Sequence, residues 1–345
     1  MVEVQHGSAS LDAELSSEPS GDLARRRRAG PDRAVVALAI ATMVATYALV
    51  VLGSTVRVTN SGMGCPSWPL CYGHIGPVDR FHALLEQSHR YLVALVTVGT
   101  FSTAFLARRS RARRTAFAPA AVAAALVLVQ AALGALTVFA KNAPWTVAVH
   151  LVVGLVFLAT TVVTAVVAFR GRRGSWSPAA VGRWGAALLV VTLATIVGGS
   201  LVVANGGAGA CPSWPLCPSS ATALADWQLL HRSLAGLTGV TLVAFVWSRW
   251  QSTAGWPAWR VAALASGGAY VAVAALGAAS ALTRATPSWA DAHLAMVALL
   301  WMLVVGTETA LATQRATSAP PITSRRCPPR PPPVGPTARG PDLAR

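Results

Sequence analysis

Of the seven histidines in this chain, four (His89, His150, His231 and His293) fall inside apolar stretches, where an imidazole is costly and usually functional. They come as two pairs in register. His89 and His231 each open a His-Arg dipeptide with Arg90 and Arg232, while His150 and His293 lie in blocks that repeat at one offset of 143, from Gly134 to Gly277, Lys141 to Arg284 and Pro144 to Pro287. Two inward-facing histidines on different helices of a bundle can ligate a haem iron axially, as in helical b-type cytochromes. Four such residues suit two haem sites, one per half. A lone histidine would instead read as a core residue satisfied by hydrogen bonds.

One acid breaks the match. Glu86 stands three residues before His89 and shares its helix face, whereas Gln228 stands in the same place before His231. A carboxylate beside such a pocket can give or take a proton during chemistry. Glutamine keeps the shape and the hydrogen bonding but cannot ionise. The first half is therefore expected to react, with Glu86 catalytic, and the second to transfer electrons. The plainer alternative has Glu86 stabilising a helix N-terminus through the dipole. Asp291, whose counterpart is Ala148, is explained by that first-turn effect alone.

The heptapeptide CPSWPLC occurs at Cys65 to Cys71 and again at Cys211 to Cys217, which marks the chain as a duplicated unit. Each C-x5-C loop is compatible with an intraloop disulfide, Cys65–Cys71 and Cys211–Cys217, and pairing between the loops stays open. Rigid lids, a redox-active pair and a zinc site with His74 are the three readings, the first being the simplest. His74 and His82 read as loop or helix-edge residues. Cys327, in the tail, has no assigned role.

These groups must be held by membrane helices. With 54% hydrophobic and 12% charged residues the chain is too apolar for a soluble domain. Apolar stretches long enough to cross a bilayer fall at about 34–53, 85–106, 117–140, 147–169, 184–204, 227–247, 260–282 and 288–311. The expectation is an all-α membrane protein whose eight transmembrane helices form two pseudo-symmetric four-helix bundles. A disordered segment 1–33 precedes the first half, 34–170; a linker, 171–183, leads to the second half, 184–312, and a disordered Pro/Arg-rich tail, 313–345, follows.

The net charge of +16 would suggest nucleic acid on a soluble face, but its placement obeys the positive-inside rule and excludes that partner. With the N-terminus cytoplasmic, 22 basic residues fall on the cytoplasmic side and six outside. Both termini are thus expected in the cytoplasm. All four even-numbered helices then enter from outside, with each histidine within about two turns of the outer face. The outer cations Arg57, Arg90, Lys141, Arg232 and Arg284 are candidate partners of haem propionates, with snorkelling to the interface as the plain alternative. Arg80 reads as a loop charge. The Gly267-Gly268 pair suits close helix packing within a chain or in a homo-oligomer.

The run from Thr59 to Pro66, the Glu86-x-x-His89-Arg90 motif, the Gly134 to His150 block and their second-half echoes together resemble the haem A synthases, over about residues 34–312. That resemblance implies oxidation of the C8 methyl of haem O to the formyl of haem A, for terminal oxidase assembly. It implies that His231 and His293 ligate a resident haem b, that His89 and His150 hold the substrate haem, and that Glu86 matters for activity. Haem O synthase and an electron carrier are the implied partners, beside membrane lipid. Competing readings are a diheme b-type electron-transfer cytochrome, a haem carrier, and a membrane thiol oxidoreductase. The single acid argues against the first, the outer-edge histidines against the second, and the C-x5-C spacing against the third.

Overall fold

The computed structural model describes residues 19–76, 78–171, 178–217, 222–250 and 256–318. Of the segments expected to be disordered, 1–33 and 313–345, residues 1–18 and 319–345 lie outside the described residues, as does Cys327, whereas residues 19–33 and 313–318 are helical, as extensions of the first and last spans. Regular structure among the described residues is helical. The helices are α1 (Pro19–Val58), α2 (Phe81–Arg109), α3 (Phe117–Phe139), α4 (Pro144–Arg170), α5 (Arg183–Ala204), α6 (Ala223–Trp250), α7 (Pro257–Leu282) and α8 (Pro287–Ser318). Each contains a span long and apolar enough to cross a membrane, from Asp32–Val58 in α1 to Pro287–Gln314 in α8. Helix α1 begins at Pro19, ahead of the expected boundary at 34. Leu23 to Ala29 before the span are good helix formers, and the helix runs on into the span through Gly30 and Pro31.

Each of the first four helices packs on the next, and α4 closes back on α1; α5 to α8 close in the same way. The halves meet where α8 packs on α1 and α4, and α4 on α5. Direct hydrogen bonds cross this seam: Trp301 Nε1 donates to the Leu155 carbonyl at 2.8 Å, Thr55 Oγ1 to Asp291 Oδ2 at 2.8 Å, and the Tyr47 hydroxyl to the Ala295 carbonyl at 3.3 Å. Asp291 is therefore bonded across the seam, an additional role to the first-turn effect expected for it.

Two tight turns on one side repeat a local device. Lys141 and Asn142, between α3 and α4, and Arg284 and Ala285, between α7 and α8, all have positive φ, from 51° to 62°. Two successive left-handed residues are unusual outside glycine. Here they let Asn142 N–H reach the Thr137 carbonyl at 2.7 Å and Ala285 N–H the Ser280 carbonyl at 2.6 Å, closing the preceding helix. Pro144 and Pro287 then open α4 and α8, where their missing N–H costs nothing.

Candidate functional site

The four intramembrane histidines lie on the even-numbered helices, at the ninth residue of α2, the seventh of α4, the ninth of α6 and the seventh of α8. Because α2 and α6 start upstream of the expected boundaries, His89 and His231 lie slightly deeper than two turns. All four are on the lid side of the molecule.

Each imidazole meets a glycine on the preceding odd-numbered helix. A Cβ placed on Gly53 (α1) would lie 3.0 Å from His89 Cε1; on Gly134 (α3), 3.5 Å from His150 Cε1; on Gly199 (α5), 2.9 Å from His231 Cε1; and on Gly277 (α7), 3.0 Å from His293 Cε1. The missing side chain leaves each ring room against the neighbouring backbone. Gly134 and Gly277 were legible in the sequence through the repeat at 143. Gly53 and Gly199 were not, because they precede their histidines by 36 and 32 residues, across lids of unequal length.

The lids are built as the spacing suggested. Cys65 is bonded to Cys71 with their Cα atoms 4.8 Å apart, and Cys211 to Cys217 with theirs 5.7 Å apart. In the first lid, Ser67 Oγ donates to the Leu70 carbonyl at 2.7 Å; in the second, Ser213 Oγ donates to that of Leu216 at 2.5 Å. The arginine after each first-pair histidine holds its lid. Arg90 Nη1 donates to the carbonyls of Ser67, Pro69 and Leu70 at 2.7, 3.1 and 3.2 Å. Arg232 donates to the carbonyls of Pro215 and Cys211, each at 3.0 Å. Both arginines, expected as propionate partners, thus carry a lid contact that the sequence does not announce. Arg57, Lys141 and Arg284, the other candidates, are exposed near helix ends on the same side.

Glu86 is buried, and its two oxygens are both engaged. Oε2 accepts the Cys65 N–H at 2.8 Å, and Oε1 pairs with Arg90 Nη2 at 2.6 Å. The acid is thus tied to the disulfide and to the arginine that grips the same lid. Gln228, also buried, inverts this polarity: its Nε2 donates to the carbonyls of Gly207 at 2.8 Å and Ala208 at 3.0 Å. One half presents a carboxylate to a lid amide, the other an amide to loop carbonyls.

A polar chain that no side-chain pattern announces runs beside the first lid. The hydroxyls of Thr59 and Ser61 are 2.7 Å apart, and Ser61 Oγ lies 2.8 Å from Nδ1 of the exposed His82. His82 is thus a helix-edge histidine with a fixed partner. Arg80 lies over the Tyr72 ring, 5.4 Å from its centroid, in keeping with a loop charge.

Residues 36–305 match the family model described as COX15-CtaA, cytochrome oxidase assembly protein. The chain belongs to this family. Among curated relatives, a protein named Heme A synthase from Exiguobacterium sibiricum is 29% identical over 212 residues, which is 58% of this chain and 71% of the relative. Another Heme A synthase, from an Exiguobacterium species, is 28% identical over 198 residues, 55% of this chain and 64% of that protein. A Protoheme IX farnesyltransferase of Halobacterium salinarum is 32% identical over 128 residues, 37% of this chain and 28% of the farnesyltransferase. The family match takes in both lids, all four histidines, Glu86 and Gln228.

Proposed function

We propose that this protein is a haem A synthase, a multi-pass membrane oxidoreductase that converts the C8 methyl of haem O to a formyl group through the alcohol, giving haem A for terminal oxidase assembly. Family membership and the relatives named Heme A synthase support the reaction. The residues present fit haem: two imidazole pairs, each drawn from the two diagonally placed even-numbered helices of one half, each ring against a glycine whose Cβ would approach it, with buried Nδ1 atoms on His89 and His150 that make no hydrogen bond. In this reading His89 and His150 hold the substrate in the first half, residues 34–170, and His231 and His293 ligate haem b in the second, residues 184–312. Bound haem b supplies one-electron transfer. Arg57, Lys141 and Arg284 remain candidates for the propionates, whereas Arg90 and Arg232 reach them only by releasing lid carbonyls. The relative named for farnesyl transfer supports a haem O synthase as the supplier of substrate.

The observation that carries the choice of reacting half is the Glu86 contact set. Held by the Cys65 N–H and by Arg90, its carboxylate is fixed at the lid edge, three residues before His89, and can exchange a proton there when a lid contact loosens. Gln228 has no such capacity. The positive-inside distribution supports a cytoplasmic location for both termini, with the lids outside.

The test is to supply haem O to the purified protein, extract the cofactors and separate haems B, O and A by chromatography. Formation of haem A, absent in Glu86→Gln with the second haem's spectrum retained, is the expected result. Haem B alone, with haem O unconverted, would identify a diheme electron-transfer cytochrome instead.

A further inference from the structure

The two histidine pairs differ in what holds the second ring nitrogen. His231 Nδ1 lies 3.0 Å from the Thr195 carbonyl, and His293 Nδ1 lies 3.1 Å from that of Val273. A carbonyl only accepts, so in both rings Nδ1 carries the proton and Nε2 keeps its lone pair. Thr195 and Val273 each stand four residues, one helical turn, before the glycine beneath the ring, Gly199 or Gly277. One glycine and one carbonyl thus form a paired seat on the odd-numbered helix. The first half has the glycines, Gly53 and Gly134, without the bond: Nδ1 of His89 and of His150 are buried with no hydrogen-bond partner. The equivalent carbonyls belong to Leu49 and Gln130. At the second of these, the Gln130 side chain donates to the His150 carbonyl at 2.9 Å, and a Cβ on Gly134 would stand 3.5 Å from the ring, looser than at the other three seats.

We propose that Gly199 and Gly277 are positioning residues of the second site: each leaves room for an imidazole to commit Nδ1–H to a backbone carbonyl, so that Nε2 meets iron in one tautomer and orientation. The first site keeps the seats but lacks the bonds, and its haem is the exchangeable one. The inference rests on the reading of the four histidines as iron ligands. Its physical basis is general. A ligating histidine whose other nitrogen donates to a carbonyl is both oriented and made a stronger base, and losing such a partner typically costs roughly ten- to a hundredfold in metal affinity. An enzyme that must take up one haem, change it and release it needs weak ligation at that site and strong ligation at the other.

The experiment uses Gly277→Ala in the full-length protein loaded with haem B. Haem release to excess apomyoglobin is timed, and the low-spin ferric EPR signal, which reports the orientation of axial imidazoles, is recorded. Gly267→Ala on the same helix is the control, since a Cβ there meets nothing within 4 Å. Expected are release at least about tenfold faster and shifted g-values in Gly277→Ala, with neither change in Gly267→Ala, and in the wild type faster release from the first site than from the second. Wild-type g-values and release rate in Gly277→Ala, or second-site haem leaving first in the wild type, would overturn the proposal. If Gly277→Ala fails to assemble, the wild-type protein with 15N-labelled histidine decides: Nδ1–H signals of hydrogen-bonded imidazoles at His231 and His293 support the proposal, and those of free N–H groups sink it. Retention of the low-spin second haem in His293→Ala would instead refute the ligand assignment beneath it.

Discussion

Cys65 donates its backbone N–H to Glu86 Oε2 at 2.8 Å, which joins the disulfide lid and the acid of the first half into one mechanical unit. Arg90 completes it, pairing with Oε1 while gripping three lid carbonyls. The second lid is held by Arg232 and its adjoining loop by Gln228, without a charge pair between those two side chains. Attachment of the first lid therefore includes an ion pair, whereas the second is held by Arg232 donating to carbonyls.

Glu86→Gln separates charge from shape. The amide oxygen can still accept the Cys65 N–H, but the charge-assisted bond to Arg90 is lost. If Glu86 moves protons, the turnover of haem O falls by about 10²–10⁴-fold, the usual range for a lost general acid or base. The second-site haem spectrum should not change. An equal loss in Glu86→Ala and full activity in Glu86→Gln would reduce the residue to a lid anchor.

Arg90→Ala tests the anchor directly. The substitution strands the Glu86 carboxylate and frees the carbonyls of Ser67, Pro69 and Leu70. The first lid should open more often, and the Cys65–Cys71 bond should be reduced at least about tenfold faster by a membrane-impermeant reductant, since one lost charge-assisted bond of about 1.5–3 kcal/mol shifts an opening equilibrium that far. Alkylation followed by mass spectrometry reads this out, with Cys211–Cys217 as the internal reference. Arg232→Ala should expose only the second pair.

Gly64→Ala should act through sterics alone. A Cβ there would lie 2.5 Å from the main-chain carbon of His82, at the start of α2, where neither backbone can yield. The lid must shift away from α2, stretching the bond from Cys65 to Glu86 one residue on. Turnover should drop with Glu86 still in place, and the lid disulfide should become as reducible as in Arg90→Ala. Gly73→Ala, where a Cβ meets nothing within 4 Å but φ is +78°, should cost only the backbone strain, on the order of 1–2 kcal/mol.

The eight spans, the lids and the lid-side placement of the histidines were legible because hydropathy, charge bias and an internal repeat each leave a linear trace. Glu86 and Gln228 were legible for the same reason, as one mismatch in an otherwise matched register. What Arg90 holds was not. Its partners are backbone carbonyls, which every residue carries, so no side-chain pattern announces them. Asp291 shows the same limit from the other side: its partner Thr55 lies 236 residues away on the opposite half, and only the packing of α8 on α1 brings them together. Gly53 and Gly199 also escaped detection, because the four-residue difference between the lids puts them out of step when histidines and glycines are counted along the chain.

Trp301→Phe measures how firmly the halves are joined. Trp301 is buried in α8, and its Nε1–H donates to the Leu155 carbonyl in α4, within a cluster that also holds Leu158, Val162, Ile196 and Val305. Leu155 is in the interior of α4, so its carbonyl keeps an intrahelical donor when the indole is removed. The loss is then the bond itself, about 0.6–1.7 kcal/mol for an interhelical bond in a membrane, together with the unfilled volume of the missing ring, about 1 kcal/mol or more. Thermal unfolding in detergent should show a lower midpoint for Trp301→Phe, and a comparable fall for Thr55→Val, which keeps its volume but removes a donor from the Asp291 carboxylate, a bond of about 1.5–3 kcal/mol. If the halves were joined only by loops, neither substitution would move the midpoint. Because Asp291 and Trp301 lie nearly three helical turns apart on α8 and share no partner, the single losses should add in the double variant.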